Sequence, residues 1–418
     1  RPDQPGGFTN EEDFLTPLKV LVLSRNYPNN VTPLLGLWTE GLIRQVASLC
    51  ETRVLAPVPY CPPIPGAPEF TKFRSVAYQE RINGVDVRHP RFLTGPGFLF
   101  HSVESEAYSL AIYRQVAAMR REFPFDLIHA HFVYPDGVVA ARLGRRYNVP
   151  VIITDQSPWT PWMENYPRVR QQAVWAAQQC AFHTVVSKYL KNTVVRYTGE
   201  SEKLQVVPNG VDASVFTPLS ADRQPKDDQI LFVGIMRHVK GVDILLKAMR
   251  KLVDRRPGLK LTLVGGGFYR SYSAQEKQLR DMARELGLDR NVEFVGMKPP
   301  EEVAAHMRES ALLVTPSRSE TFGSVLIEAL ACGIPVVSTR CGGPEDFVTE
   351  EVGRLVPKED EAALAEAIDQ TLDQRRRYDP LRLRQYALDN FTWERVAQKT
   401  VGLYEKALGR TGSRNGHR

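Results

Sequence analysis

Short β-branched runs alternate with amphipathic helical stretches along this chain, and the alternation runs twice. The first series opens with LKVLVLS at 18–24 and LWTEGLIRQVASL at 37–49, then continues through TRVLAPV, FDLIHAHF, DGVVAARLGRRYNV, PVIITD and AFHTVVS. The second starts with QILFVGI at 229–235 and passes through VDILLKAMRKLV, LKLTLVGGG, QEKQLRDMARELG, VEFVG, PEEVAAHMRES, ALLVTPS and PVVST to DEAALAEAIDQTLD. Strand runs that are apolar throughout are buried on both faces, as in a parallel sheet covered by helices on either side. The expected fold class is α/β, with two Rossmann-like doubly wound parallel-sheet domains facing a central cleft. A length of 418 residues leaves room for two cores.

The stretch VVPNGVDASVFTPLSADRQPKDDQ, 206–229, is rich in Pro, Asp and turn residues and reads as a hinge. The expected organisation is a flexible tail over 1–16, an N-terminal domain over 17–206, a C-terminal domain over 207–388, and a tail over 409–418. Residues 57–102, with PVPYCPPIPGAPEF and RHPRFLTGPGFLF, read as a long irregular insertion or as an aromatic surface for a substrate or a membrane. In open parallel sheets, ligands bind outside the carboxyl ends of the strands, so the expected site lies there.

Composition narrows the function classes. The net charge of +6 is concentrated between Arg142 and Arg196, a patch that attracts phosphates of any kind. No nucleic-acid reading motif accompanies it, so nucleic acid is not an expected partner. Contact with an anionic membrane surface remains compatible with it. Five scattered cysteines lack metal-ligand spacing and suggest a reducing compartment. No run of 18 apolar residues and no signal peptide is visible, so the expected setting is cytoplasmic, with room for peripheral association at the inner membrane face.

The chemistry is concentrated in SETFGSVLIEALACGIPVVST, 319–339. A helix is expected from about Thr321 to Gly333, closed by that glycine and by Pro335. Its one charge is Glu328, among Leu326, Ile327, Ala329 and Leu330, while Glu320 lies just outside its start. Eight helical residues would separate the two carboxylates by about 12 Å, more than the roughly 5 to 9.5 Å of a glycosidic acid/base pair. They fit the two ends of one elongated ligand. Between them, Gly323 lets a ligand approach the backbone, and the amides of a helix N-terminus attract an anion. Hydroxyls at both ends and phosphates between describe a nucleoside diphosphate sugar, with Glu328 on the ribose and Glu320 on the sugar. A helix-terminal acid at Glu320 and an unrelated buried ion pair at Glu328 form the structural alternative.

SRSETFGSVLIEALACGIPVVSTRCGGPEDFV resembles the E-x7-E block of the retaining glycosyltransferases of family 4, which have the GT-B fold. YPNNVTPLLGLWTEGLIRQVASL, FDLIHAHFVYPDGVVAARL, VVPNGVDASVFTP, FVGIMRHVKGVDILLKAM and FTWERVAQKTVGLYEKAL extend the resemblance over nearly the whole chain. It implies a hexose-type transfer from a nucleotide sugar, UDP before GDP, to a hydroxyl of a glycan, glycolipid, other lipid-linked or small-molecule acceptor. It also implies a final helix, 389–408, that returns to the N-terminal domain. Lys240 matches the lysine that grips the pyrophosphate. Arg237 is the candidate for its arginine partner, although Ile235 stands directly after Gly234, where the family usually has that arginine. Thr321, Phe322, Gly323 and Ser324 match the donor-binding loop, and Gly36 matches the family's glycine after the first strand, near the transferred sugar and the acceptor. Gly265, Gly266 and Gly267 at the end of LTLVGGG read either as a close approach for the nucleotide of the donor or as a plain flexible turn. His131 matches a cleft position, whereas His129 reads as structural. Gln156 stands where family members usually carry a sugar-contacting histidine. Beside it, Trp159 and Trp162 are candidates for stacking on an acceptor sugar or for ordinary packing. No D-x-D pair offers a metal site, so no cofactor and no metal is expected. The rival functions are a nucleotide-sugar epimerase of the same fold and a non-enzymatic nucleotide-sugar-binding subunit.

Overall fold

The computed structural model describes residues 17–60, 71–93, 102–159, 162–220, 225–266 and 270–410, with the side chains of 162 and 270–273 left out. The expected tail 1–16, most of the tail 409–418, Gly267, the side chain of Trp162 and much of the Pro-rich insertion lie outside these residues. Two compact units make up the chain: Arg1–Thr154, Met163–His183 and Thr400–Arg418 form one, and Asp155–Trp162 with Thr184–Lys399 form the other.

An eight-stranded sheet has the order β10-β9-β8-β7-β1-β2-β5-β4. Its strands are β1 (Lys19–Leu23), β2 (Glu51–Leu55), β4 (Gln79–Ile82), β5 (Val85–Arg88), β7 (Leu127–His131), β8 (Val151–Asp155), β9 (Phe182–Val185) and β10 (Leu204–Val206), while β3 (Val58–Tyr60) and β6 (Arg91–Leu93) pair separately. β1 pairs parallel to both β2 and β7, and every residue of β7 is buried, His129 and His131 included, as a strand covered on both faces requires. The Pro-rich insertion is more regular than expected. β4 and β5 pair antiparallel around Asn83 and Gly84, whose φ values of 47° and 86° are both left-handed. Asn-Gly is the pair that favours such a two-residue turn.

In the second unit a six-stranded parallel sheet has the order β13-β12-β11-β14-β15-β16. These strands are β11 (Lys226–Val233), β12 (Lys260–Val264), β13 (Val292–Gly296), β14 (Ser310–Thr315), β15 (Val336–Thr339) and β16 (Gly353–Val356). Where β11 and β12 end, the backbones come so close that a Cβ on Gly265, at φ 136°, would lie 1.8 Å from the Gly234 carbonyl oxygen. Only glycine allows that approach.

The expected hinge is not a free linker. Val211 N donates to the Phe391 carbonyl at 2.6 Å, and Arg384 holds the carbonyls of Ala213 and Phe216. The described part of the segment groups with the second unit, as do residues 184–206. Arginine pairing with backbone carbonyls outweighed the local turn composition.

Residues of the helix Trp393–Ala407 from Thr400 onward count with the first unit. There, buried His129 has Nδ1 2.6 Å from the Tyr404 hydroxyl and Nε2 2.7 Å from Thr154 Oγ1. Burial pushes the imidazole down to about 3, so it is neutral. Between about pH 6.5 and 3 the unfolded chain takes up a proton that the folded one refuses, and stability falls with pH over that window. Tyr404→Phe strands one ring nitrogen and is expected to lower the unfolding free energy by about 1.5 kcal/mol at pH 7, measured by urea denaturation.

Candidate active site

β14 runs out into a loop that carries Ser317, Arg318 and Glu320 before the helix Ser324–Ala331 begins. The helix starts three residues later than the sequence suggests. Glu320 is engaged in an isolated bridge with Gly342, its amide donating to the Cys341 carbonyl at 3.1 Å, and Gly323 takes φ 96° as the residue before the first turn. Those long-range bonds end the local helical preference of Thr321 and Phe322, and the axial separation of about 12 Å does not apply to Glu320. No side chain caps the helix, and Asn209 Nδ2 donates to Ser324 Oγ at 3.1 Å.

Phe322 turns its ring inward. Its ring is buried at 3% exposure and packs on Phe347 and Phe391 at centroid distances of 5.1 and 5.9 Å. Only its backbone is left for a ligand. Tyr386 donates to the Phe347 carbonyl at 2.7 Å and holds that aromatic cluster in turn.

Glu328 is the fifth residue of the helix, flanked by fully buried Leu326, Ile327, Ala329 and Leu330. Its carboxyl finds neither a hydrogen bond nor an ion pair among the described residues. Desolvation pushes it up to about 8, and no neighbouring cation opposes the shift. The buried ion pair offered as its structural alternative is absent among those residues. A carboxyl kept half-hidden without a partner is costly, and such groups collect at functional sites.

Lys240 and Glu320 are in contact, Nζ to Oε1 at 2.5 Å, with side chains 23% and 12% exposed. Ser317 Oγ donates to the same carboxylate oxygen at 3.0 Å. Lys240 ends the short turn His238–Lys240, whose preceding residue is Arg237, an exposed residue. Arg318 ties this turn to the Glu320 loop and was not singled out from the sequence. Its guanidinium meets Asp243 at 2.8 and 2.7 Å and the His238 carbonyl at 2.6 Å. Gly265 and Gly266 close the β12 end of the same sheet edge.

In the first unit, Gly36 precedes the helix Leu37–Val46 at φ 77°, where a Cβ would lie 2.0 Å from the Asn26 carbonyl oxygen. His131 ends β7 fully buried, with neither ring nitrogen hydrogen-bonded among the described residues and its pKa driven well down by burial and by His129. It is therefore a neutral, buried group. Part of the basic stretch is neutralised: Glu106 faces Arg168 at 3.1 Å and Arg142 at 3.6 Å. Gln156 and Trp159 fall within the second unit. Gln156 follows β8 with intermediate exposure. Trp159 offers no stacking face: it is 1% exposed, its Nε1 donates to Asp155 at 2.7 Å, and its ring leans on Tyr197 at 5.9 Å. Among the described residues no cluster of three or more His, Cys, Asp or Glu could hold a metal, and no helix is long and apolar enough to cross a membrane.

Two family models match, "Glycosyltransferase Family 4" over 42–215 and "Glycosyl transferases group 1" over 220–388. A D-inositol 3-phosphate glycosyltransferase of Stackebrandtia nassauensis is 32% identical over 331 residues, 73% of either chain, and one of Acidothermus cellulolyticus is 30% identical over 332 residues, 72% of this chain and 71% of the relative. The chain belongs to glycosyltransferase family 4. Among solved structures, a sucrose-phosphate synthase from Thermosynechococcus elongatus superposes with TM-score 0.76 at 22% identity, covering 94% of this chain and all of that one. HepE of Anabaena in complex with UDP follows at TM-score 0.71 and 19% identity, covering 93% and 100%. The fold of this family 4 glycosyltransferase is GT-B.

In this glycosyltransferase the uncompensated Glu328 carries a stability cost that grows as pH rises. Its folded pKa lies above its unfolded one, so the folded chain binds the extra proton between about pH 4.5 and 8, and stability is lost across that window. Glu328→Gln removes the cost. The unliganded variant is expected to be more stable than the native chain at pH 8.5 and no more stable at pH 4.5, read from paired denaturation curves.

Proposed function

We propose that this glycosyltransferase moves a hexose-type sugar from a nucleoside diphosphate donor, UDP before GDP, to an acceptor hydroxyl with retention of configuration and without a metal. The unpaired carboxyl of Glu328 carries the reading. A ribose supplies two hydroxyls, which is what an unpartnered, half-hidden carboxyl lacks. The uncapped N-terminus of the helix Ser324–Ala331 suits the diphosphate between ribose and sugar.

Lys240 then faces the departing phosphate. In the transfer the bond from the anomeric carbon to the phosphate oxygen breaks, the bond to the acceptor oxygen forms on the same face, and the acceptor proton passes to the leaving phosphate. Charge grows on that phosphate as the bond lengthens, and a fixed ammonium there lowers the barrier. Glu320 holds the sugar hydroxyls and, through its pair with Lys240, keeps the ammonium in place. Gln156 is proposed at the sugar, where an amide can donate and accept but cannot become cationic. The helix N-terminus and Lys240 stand in for a divalent ion. The relatives' name points to a small phosphorylated polyol as the acceptor to try first. The four described cysteines, Cys50, Cys180, Cys332 and Cys341, are buried and form no disulfide, which supports a cytoplasmic setting.

Calorimetry with UDP and GDP in EDTA is the test. One nucleotide is expected to bind the native chain, and Glu328→Ala is expected to weaken it by about 2 kcal/mol, the value of a charged hydrogen bond. Absence of binding by both nucleotides to the folded native chain rejects the donor reading.

A further inference from the structure

Arg318 lies two residues before Glu320, in the loop that leaves β14, with its side chain only 16% exposed. A guanidinium has five N–H donors in a fixed fork, and each has an acceptor here. Nη1 serves Asp243 Oδ1 at 2.8 Å and the His238 carbonyl at 2.6 Å. Nη2 serves Asp243 Oδ2 at 2.7 Å and Glu359 Oε2 at 3.1 Å, and Nε serves Glu359 Oε1 at 2.5 Å. The Arg318 amide donates to the Val239 carbonyl at 2.8 Å as well.

Three of these acceptors, His238, Val239 and Asp243, flank Lys240 in sequence. The turn His238–Lys240 buries no residue of its own, so apolar packing does not hold it. What holds it is polar: the two carbonyls captured by Arg318, the ion pair to Asp243 at the start of the following helix Val242–Val253, and a backbone approach in which a Cβ on Gly241 would lie 2.0 Å from the Pro316 carbonyl oxygen. The far side of the fork is anchored by Glu359, a non-glycine residue at φ 59°. Such a conformation persists where surrounding bonds over-determine it.

We propose that Arg318 is a positioning residue that staples the Lys240 turn to the Glu320 loop and thereby fixes where the Lys240 ammonium meets the donor diphosphate. The proposal rests on the donor reading above. Lysine cannot replace the arginine, because an ammonium offers three donors from one point and cannot span Asp243, Glu359 and a carbonyl at once. Asp243 belongs to the same device, with its carboxyl held below the usual range by hydrogen bonding and charge from Arg318 although burial opposes the shift.

The test is a double-mutant cycle on nucleotide affinity and donor kinetics, using the full chain, UDP and UDP-glucose, with GDP and GDP-mannose in their place if GDP is the nucleotide that binds. Lys240→Ala is expected to weaken nucleotide binding at least 10-fold in the native background but less than 3-fold in Arg318→Lys, because an unstapled lysine contributes little. Arg318→Lys alone is expected to raise the donor KM and lower kcat together. Asp243→Asn, which keeps shape and removes charge, is the second background and is expected to reduce the Lys240 effect likewise. If Lys240→Ala costs the same factor in all three backgrounds, Arg318 is a stabilising residue only and the proposal falls while the donor reading stands. If neither nucleotide binds the native chain, the donor reading itself has failed.

Discussion

A parallel sheet has no tight turns at its carboxyl edge, because each strand must leave for a crossover before the next one begins. The loops there have to be held by something other than the ladder. In the second unit that constraint is met with close backbone approaches and one guanidinium. The end of β11 touches the end of β12 through Gly234 and Gly265, and the turn after β11 touches the loop after β14 through Gly241 and Pro316. Arg318 then ties both to the turn at Glu359. Lys240 and Glu320 both hang from loops secured in this way.

The regular elements were legible because burial writes a period into the chain: unbroken apolar runs for strands covered on both faces, a 3.6-residue stripe for the helices. What escaped was long-range. The helix carrying Glu328 begins at Ser324 because of a bridge to Gly342, which no local pattern announces. Arg318 stands in the quoted motif, yet its acceptors come from positions 75 and 41 residues away. Trp159 was ambiguous for a different reason, since an aromatic cluster does not say which of its faces is covered. One signal was present and unused: Asn83-Gly84 marks a hairpin inside the Pro-rich insertion.

The site keeps charges in two different ways. Lys240 and Glu320 compensate each other, so each holds the other in one orientation. Glu328 is left uncompensated instead, and the fold carries that cost in an otherwise apolar helix. The contrast is physically sensible. Flexible side chains on polar turns need a partner to stay in place, whereas a carboxyl on a rigid helix is aimed by its backbone.

The bond between Tyr404 and His129 spans 275 residues. During synthesis β7 and β8 leave the ribosome long before their last partner exists, and the nascent first unit must carry a buried imidazole with one nitrogen unmet until the final helix emerges. Its completion thus waits on a segment made 275 residues downstream, whatever the speed at which its own strands pair.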